Sequence, residues 1–313
     1  MAYDIESNAL VLLPRQEGLF GDRVKLIAKR AWMLDLGARE WQLRSGVSYG
    51  LGPMAYDAQS DRTVLFLGAR PSTAMDLTAM AETWAYDANS DTWTDMDPDT
   101  SPRGLLGTQM VYDAQSDRTI LYSGWNVRGG TWENDPATWA YDYDTNTWEE
   151  LAPTGEPPIG WNYYALSYDA GADRVIAYRC GHGSSDDASC RIGVYDYESN
   201  TWERRETATH PVAYDYNVMV YDPGTRLSIL FGGLDQDEYP LNETWGYDYV
   251  TNTWTELETT NPPSPRAWHA MAYHESEGVV VVFGGGPARD AFTDELWVLD
   301  TTTMAWEQIK AVP

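Results

Sequence analysis

The sequence predicts an all-β fold, a six-bladed β-propeller of four-stranded antiparallel blades. A tryptophan recurs six times at spacings of 52 to 55 residues. Each repeat holds four short apolar or aromatic runs separated by turn-forming residues, which is the pattern of strands rather than helices. Six copies of a four-stranded unit predict a propeller, because a ring of such sheets leaves few exposed strand edges.

Three aligned columns of residues define the copies. The recurring tryptophans are Trp41, Trp93, Trp148, Trp202, Trp254 and Trp306. Nine residues before each of them lie Trp32, Trp84, Trp139, Gly193, Trp245 and Trp297. The third column reads Met-Ala-Tyr-Asp or a close relative and begins at Met1, Met54, Met110, Leu166, Met219 and Met271. We therefore predict one domain over residues 1–313, with blades at about 1–48, 49–102, 103–158, 159–208, 209–262 and 263–313.

The first blade is incomplete at its N-terminus. Met1 falls in a column that carries Met in four of the five other copies, and the first copy lacks the lead-in that the last copy shows at 266–270. We therefore expect the natural chain to extend beyond Met1 or to begin after a removed leader.

The last copy shows the four strands of a blade, here named A to D in chain order. Over residues 271–306 the runs read AMAY, VVVVFGG, ELWVLD and AWEQI. They are separated by turns rich in Asp, Glu, Gly and Thr, which favour short connections between antiparallel strands. A single helical turn at 73–82 is the one departure from strands that the sequence suggests.

Several of these motifs are typical of a known repeat family. They are the diglycines Gly232–Gly233 and Gly284–Gly285, the paired tryptophan columns, and the stretch RAWHAMAY at 266–273. Over all six copies the sequence resembles kelch-repeat β-propellers, which are grouped with the central domain of galactose oxidase. The resemblance implies the fold, whereas the functions of the family are diverse and have to be argued from the residues.

Composition restricts the classes of partner. The formal net charge is −27, so the chain lacks the basic surface that nucleic acids or anionic membranes require. Its longest apolar runs are too short for a membrane-spanning helix, and we expect no membrane insertion. A glycan or a protein is the expected partner, bound by a monomer or by part of a larger assembly.

The two cysteines flank the mouth of the B–C hairpin in the fourth copy. Cys180 takes the place of the second glycine of the kelch-like pair, and Cys190 begins strand C. Adjacent antiparallel strands bring such positions within disulfide range. Free thiols, or a metal held with His182 and Asp186, remain alternatives. The disulfide would place the protein in an oxidising compartment, extracellular or periplasmic.

Antiparallel order puts the A–B and C–D turns at one end of each blade and the variable B–C and D–A loops at the other. Variable loops on a rigid scaffold usually carry function, and we call this side the loop face. The candidate ligand-binding residues on it combine aromatic rings, arginines and histidines: Arg103, Trp125, Trp161, His210, Tyr216, Arg266, Trp268, His269 and Arg289.

The Asp-rich turns, such as DANSD and DYDTN, resemble calcium ligands at first sight. Short Asp and Asn side chains more commonly cap the backbone of their own turn, and no EF-hand spacing is present. We therefore expect no cofactor, with calcium as the alternative.

We predict a non-catalytic binding or scaffold propeller and no catalytic residues. One alternative is a metal-independent sugar-active enzyme resembling the kelch mutarotase that acts on sialic acid. His210 or His269 would then transfer a proton, and Arg266 or Arg103 would hold a carboxylate. The other is a copper radical oxidase of the galactose-oxidase type, which needs two His, two Tyr and a Cys crosslinked to one Tyr.

Overall fold

A computed structural model describes residues 1–13, 30–47, 52–71, 77–122, 124–128, 131–157, 164–181, 190–288 and 291–310. For residues 69–71, 77–79, 106, 125–128 and 131–134 it describes the backbone alone. The described residues form strands, turns and loops and contain no helix, so none of them belongs to a helix able to cross a membrane. The predicted six four-stranded antiparallel blades are confirmed.

The chain divides into two compact units, and the prediction of a single domain stays a prediction. The first unit covers Met1–Leu151 and holds three blades. Blade 1 consists of β1 (Ala2–Asp4), β2 (Ala9–Leu12), β3 (Arg30–Asp35) and β4 (Glu40–Ser45). Blade 2 consists of β5 (Met54–Asp57), β6 (Arg62–Pro71), β7 (Leu77–Asp87) and β8 (Thr92–Asp95). Blade 3 consists of β10 (Gln109–Asp113), β11 (Arg118–Tyr122), β14 (Thr138–Asp142) and β15 (Thr147–Leu151).

The second unit covers Ala152–Ala311 and holds the other three blades. Blade 4 consists of β17 (Ala165–Asp169), β18 (Arg174–Cys180), β19 (Cys190–Asp196) and β20 (Thr201–Arg205), and β16 (Thr154–Gly155) adds a parallel pairing to β20. Blade 5 consists of β21 (Val218–Asp222), β22 (Leu227–Phe231), β23 (Thr244–Asp248) and β24 (Thr253–Glu256). Blade 6 consists of β25 (Ala267–His274), β26 (Val279–Gly286), β27 (Leu296–Asp300) and β28 (Ala305–Ile309).

Two of the B–C connections of the first unit contain strands. In blade 2 the hairpin of β6 and β7 continues past a bulge between Leu67 and Ala69, so a helical turn is wrong for residues 77–82. In blade 3 the B–C loop forms a hairpin of β12 (Trp125–Arg128) and β13 (Thr131–Asn134). β9 (Leu105–Leu106) pairs with β12 to complete a small third sheet.

A tyrosine closes most of the tight turns in the same way. The hydroxyl of Tyr247 donates to Oδ1 of Asn252, five residues later, at 2.9 Å, and Asn252 has a φ of 53°. Asn and Asp tolerate this left-handed conformation better than other residues with a side chain. The Asp that opens the turn, here Asp248, accepts hydrogen bonds from the backbone of its own turn. These Asp carboxylates therefore act as turn caps.

The tryptophans of the D strands join neighbouring blades. Trp254 of blade 5 packs against Tyr178 of blade 4, with ring centroids 4.9 Å apart. Trp306 of blade 6 packs against Phe231 of blade 5 at 4.8 Å. Both tryptophans are 3% exposed, so the repeated column supplies apolar contacts between the blades of this unit.

One of these tryptophans in the first unit is also hydrogen-bonded. Nε1 of Trp148 donates to Oγ1 of Thr83, on the preceding blade, at 2.8 Å in a buried site. We expect Thr83→Val to lower the free energy of unfolding by about 1–3 kcal/mol, because it leaves a buried indole N–H without an acceptor. Urea unfolding measures the change.

The matched control is Thr244→Val, at the equivalent position of blade 5. Its Oγ1 is buried and has no hydrogen-bond partner among the described residues. The same change there should be neutral or stabilising, because no bond is lost and an unsatisfied hydroxyl is removed. Equal losses at the two sites would contradict the assigned role of Thr83.

Candidate binding site on blades 5 and 6

The backbone is unusual just before strand A of blade 5 and at the start of strand A of blade 6. Tyr216 and Trp268 each precede the end of their strand by six residues, and their φ angles are 55° and 59°. A large side chain in the left-handed region is strained, and such strain concentrates at functional sites. The two aromatic residues therefore occupy equivalent, sterically demanding positions.

The diglycine of blade 5 brings these two segments together. Gly233 has a φ of 100°, and a Cβ there would lie only 2.8 Å from the carbonyl oxygen of Asp215 and 2.9 Å from Cβ of Asn217. Its N–H donates to the carbonyl of Arg266 at 2.9 Å. Only glycine allows so close an approach. Gly233 therefore holds the start of strand A of blade 6 beside the residues that precede strand A of blade 5.

Three aromatic rings, which we call the aromatic row, result from this arrangement. The ring centroids of Tyr216 and Trp268 lie 4.9 Å apart with a tilt of 42°. Trp268 and Phe292 are 6.1 Å apart and nearly perpendicular, at 89°. Phe292 is 46% exposed, and the other two rings are half-buried. The row presents ring edges and faces at different angles.

Next to the aromatic row lie two buried polar side chains, again at equivalent positions. Asn217 and His269 follow Tyr216 and Trp268 directly, and each is 5% exposed. Oδ1 of Asn217 has no hydrogen-bond partner among the described residues, whereas the ring of His269 lies against Phe231. Burial, with a smaller contribution from the charge of Arg266, lowers the pKa of His269 to about 3. His269 is therefore neutral at physiological pH.

Arg266 is held by the protein itself. It is fully buried; Nη1 donates to the carbonyl of Gly284 at 2.9 Å, and Nε and Nη2 donate to the backbone carbonyl and the hydroxyl of Ser264 at 3.0 Å each. Nη2 also pairs with the carboxylate of Glu295, which accepts from Nε1 of Trp297. These donors keep the pKa of Glu295 below its usual range, the arginine contributing most. The arrangement positions strands A, B and C of blade 6.

Acidic side chains accompany the aromatic row. The B–C turn of blade 5 carries Asp235, Asp237 and Glu238, and its Leu234 forms a backbone bridge with Asp215, next to Tyr216. Asp294 is exposed two residues after Phe292. Negative charge in these segments attracts cations.

His210 lies elsewhere, at the disulfide. Cys180 and Cys190 form the predicted bond, which links the ends of β18 and β19. A ring nitrogen of His210 lies within 4.8 Å of both sulfurs, and its Nδ1 is 3.0 Å from the carbonyl oxygen of Pro211. The structure therefore does not place His210 in the aromatic row.

The remaining candidates lie outside this cluster or outside the described residues. Arg103 is exposed in the first unit, and Trp125 is described by its backbone in β12. Trp161 and Arg289 fall outside the described residues, as does His182.

The sequence reasoning did not single out Phe292, Asn217 or Glu295 as members of this arrangement. If strand A of blade 5 is aligned with strand A of blade 6 at their last residues, Asp222 and His274, then Asn217 is paired with His269. Nothing in the sequence marks Phe292 as a neighbour of Trp268.

Comparisons with known proteins agree with this architecture. Residues 174–312 match the model of the KLHDC2/KLHL20/DRC7 Kelch-repeats domain. The chain is 33% identical over 167 residues to acyl-CoA-binding domain-containing protein 4 of Arabidopsis thaliana, a match that covers 53% of this chain and 23% of that protein. It is 28% identical over 147 residues to Kelch domain-containing protein 2 of Bos taurus, which covers 46% of this chain and 34% of the relative.

A longer match is weaker in identity. The N-(sulfonatooxy)prop-2-enimidothioate sulfolyase of Thlaspi arvense is 25% identical over 260 residues, 74% of this chain and 72% of that protein. The first two matches span between about a quarter and a third of the relatives' own length. The names of these relatives indicate different functions, so the matches do not assign one function to this chain.

Proposed function

We propose that this kelch-like β-propeller is a non-catalytic binding module that recognises a protein partner through the aromatic row of blades 5 and 6. The observation that carries the proposal is the exposed Phe292 beside Trp268 and Tyr216, two large aromatic residues held in left-handed backbone conformations. Pre-positioned aromatic side chains lose little freedom on binding and are common hot spots of interfaces.

The charge around the aromatic row favours a cationic segment of the partner. Asp235, Asp237 and Glu238 lie in the turn that follows Leu234, Asp294 lies two residues after Phe292, and the chain as a whole carries a net charge of −27. A Lys or Arg side chain can lie over an aromatic face and pair with a neighbouring carboxylate. The partner is therefore a protein with a basic, partly apolar segment.

Ring geometry supports a protein ligand over a glycan. Sugars stack on flat aromatic faces, whereas the three rings are inclined by 42° and 89° to one another. Rings inclined in this way offer edges and faces to separate side chains and not one flat platform. A glycan remains the competing ligand for the test below.

The histidines support binding rather than catalysis. A general base works best with a pKa near the working pH, and the buried His269 has a pKa near 3. The two cysteines are bonded to each other, which leaves no thiol for the Cys–Tyr crosslink of a copper radical oxidase. The disulfide also supports an extracellular or periplasmic location.

Selection from a random peptide library displayed on phage tests the proposal, with a glycan array in parallel. We expect enrichment of peptides that contain Lys or Arg next to an apolar residue. Phe292→Ala and Trp268→Ala should each raise the Kd for a selected peptide by about 30-fold. This is the effect of losing a hot spot that contributes ~2 kcal/mol to binding.

The matched control is Val250→Ala. Val250 is 86% exposed in the C–D turn of blade 5, at the other end of the same blade, and its loss should leave binding unchanged. Selected peptides that bind Trp268→Ala as tightly as the unaltered chain would contradict the site. Binding of glycans alone would contradict the class of partner.

A further inference from the structure

The second unit also contains a cluster of two cysteines and a histidine, none of which belongs to the aromatic row. Cys180 and Cys190 are partners at the end of the β18–β19 ladder, and His210 belongs to the segment that leads toward β21. One ligand atom of each, the two sulfurs and a ring nitrogen, lie within 4.8 Å of one another. Two sulfurs and an imidazole are a ligand set that Zn²⁺ prefers.

The hydrogen bond of His210 prepares the ring for a cation. Its Nδ1 is 3.0 Å from the carbonyl oxygen of Pro211, and a carbonyl can only accept, so Nδ1 carries the proton. Nε2 is then the ring nitrogen whose lone pair a cation would use. Metal-binding histidines commonly donate their other ring N–H to a backbone carbonyl in this way, which fixes the tautomer and the orientation of the ring.

The side chain of Tyr178 and the backbone of Pro211 surround the sulfur of Cys180. The hydroxyl of Tyr178 is 2.9 Å from this sulfur and donates its proton to the carbonyl of Pro211 at 2.5 Å. The same carbonyl oxygen is 3.6 Å from the sulfur. Cys180 is fully buried, whereas Cys190 and His210 are half-buried, so a cation can approach from their side.

We propose that, when the disulfide is reduced, Cys180, Cys190 and His210 bind one thiophilic divalent cation such as Zn²⁺. Reduction by a dithiol breaks the Sγ–Sγ bond and delivers two electrons and two protons, while the dithiol becomes a disulfide. The cation then displaces the two thiol protons and binds both thiolates and the imidazole, with water in the fourth position. The same two sulfurs therefore either join the strands directly or hold a metal between them.

The test compares the reduced and the oxidised full-length chain after removal of metals, under anaerobic conditions. Zn²⁺ is titrated in competition with a chromophoric chelator, and Co²⁺ is added separately to detect thiolate-to-metal charge transfer. We expect one equivalent of Zn²⁺ more in the reduced chain than in the oxidised one, and a charge-transfer band in the reduced chain only. Bound Zn²⁺ should also slow alkylation of the two thiols, a readout that needs no variant.

Variants establish the ligand set. His210→Ala should weaken Zn²⁺ binding by at least about tenfold. Loss of a residue that only supports a metal ligand already costs about that much, and here the ligand itself is lost. Cys190→Ser should abolish the charge-transfer band. Val212→Ala, at an exposed residue two positions from His210, should change neither. Equal uptake by the reduced and oxidised chains, or unchanged affinity in His210→Ala, would overturn the proposal.

Discussion

Arg266→Ala is expected to lower the free energy of unfolding by about 3–5 kcal/mol, the usual cost of removing one partner of a buried ion pair. The loss falls toward the lower end because the Glu295 side chain is 32% exposed and can recover water. Without the guanidinium, the carbonyl of Gly284 and the hydroxyl of Ser264 lose their donor, and a cavity forms between strands. Urea unfolding followed by tryptophan fluorescence measures the change.

Arg204→Ala provides the matched control. Arg204 pairs with Glu206 at the surface, with side chains 33% and 63% exposed, so its loss should change stability by no more than about 1 kcal/mol. Similar losses for the two arginines would show that burial of the Arg266 pair has no special role. A large loss confined to Arg266 would identify it as a structural residue of blade 6.

The second large effect is a pH dependence of stability that arises from His269. The unfolded chain binds a proton on this residue below pH about 6.5, whereas the folded chain binds it only near pH 3. The stability contributed by the neutral ring is therefore present above pH 6.5 and is lost as the pH falls toward 3. Between pH 7.5 and pH 5 the expected loss is about 2 kcal/mol.

His269→Asn isolates this contribution, because Asn217 occupies the equivalent place in blade 5 and does not titrate. The unaltered chain and the variant are unfolded in urea at pH 7.5 and at pH 5. The difference between their free energies of unfolding should shrink by about 2 kcal/mol at the lower pH. A difference that is the same at both pH values would mean that His269 binds its proton equally well in the folded chain.

The sequence predicted the blades well because they depend on local, repeated interactions. The Tyr247–Asn252 turn and the Trp254 contact can be inferred from residues that recur in nearly every copy. The same repetition located the disulfide, since Cys180 and Cys190 occupy aligned positions of facing strands.

The candidate site was harder to predict because it depends on side-chain burial in a single pair of blades. Arg266 and Trp268 are two residues apart in sequence, yet the first is enclosed by its own blade and the second lies half-exposed beside Phe292. A repeat pattern places Arg266 and Trp268 together at the start of strand A. It does not specify which of the two side chains is buried. The Gly-Gly pair after Arg128 was a readable signal for the extra hairpin of blade 3.

The direction of the tryptophan contacts has a consequence for biosynthesis. Trp254 docks on a strand of blade 4 and Trp306 on a strand of blade 5, so within this unit each ring finds its partner surface on the preceding blade. A ribosome releases the N-terminal blade first, and domains begin to fold while synthesis continues. Each newly released D strand therefore meets a surface that has already left the exit tunnel, and its large aromatic ring need not wait for later segments of the chain.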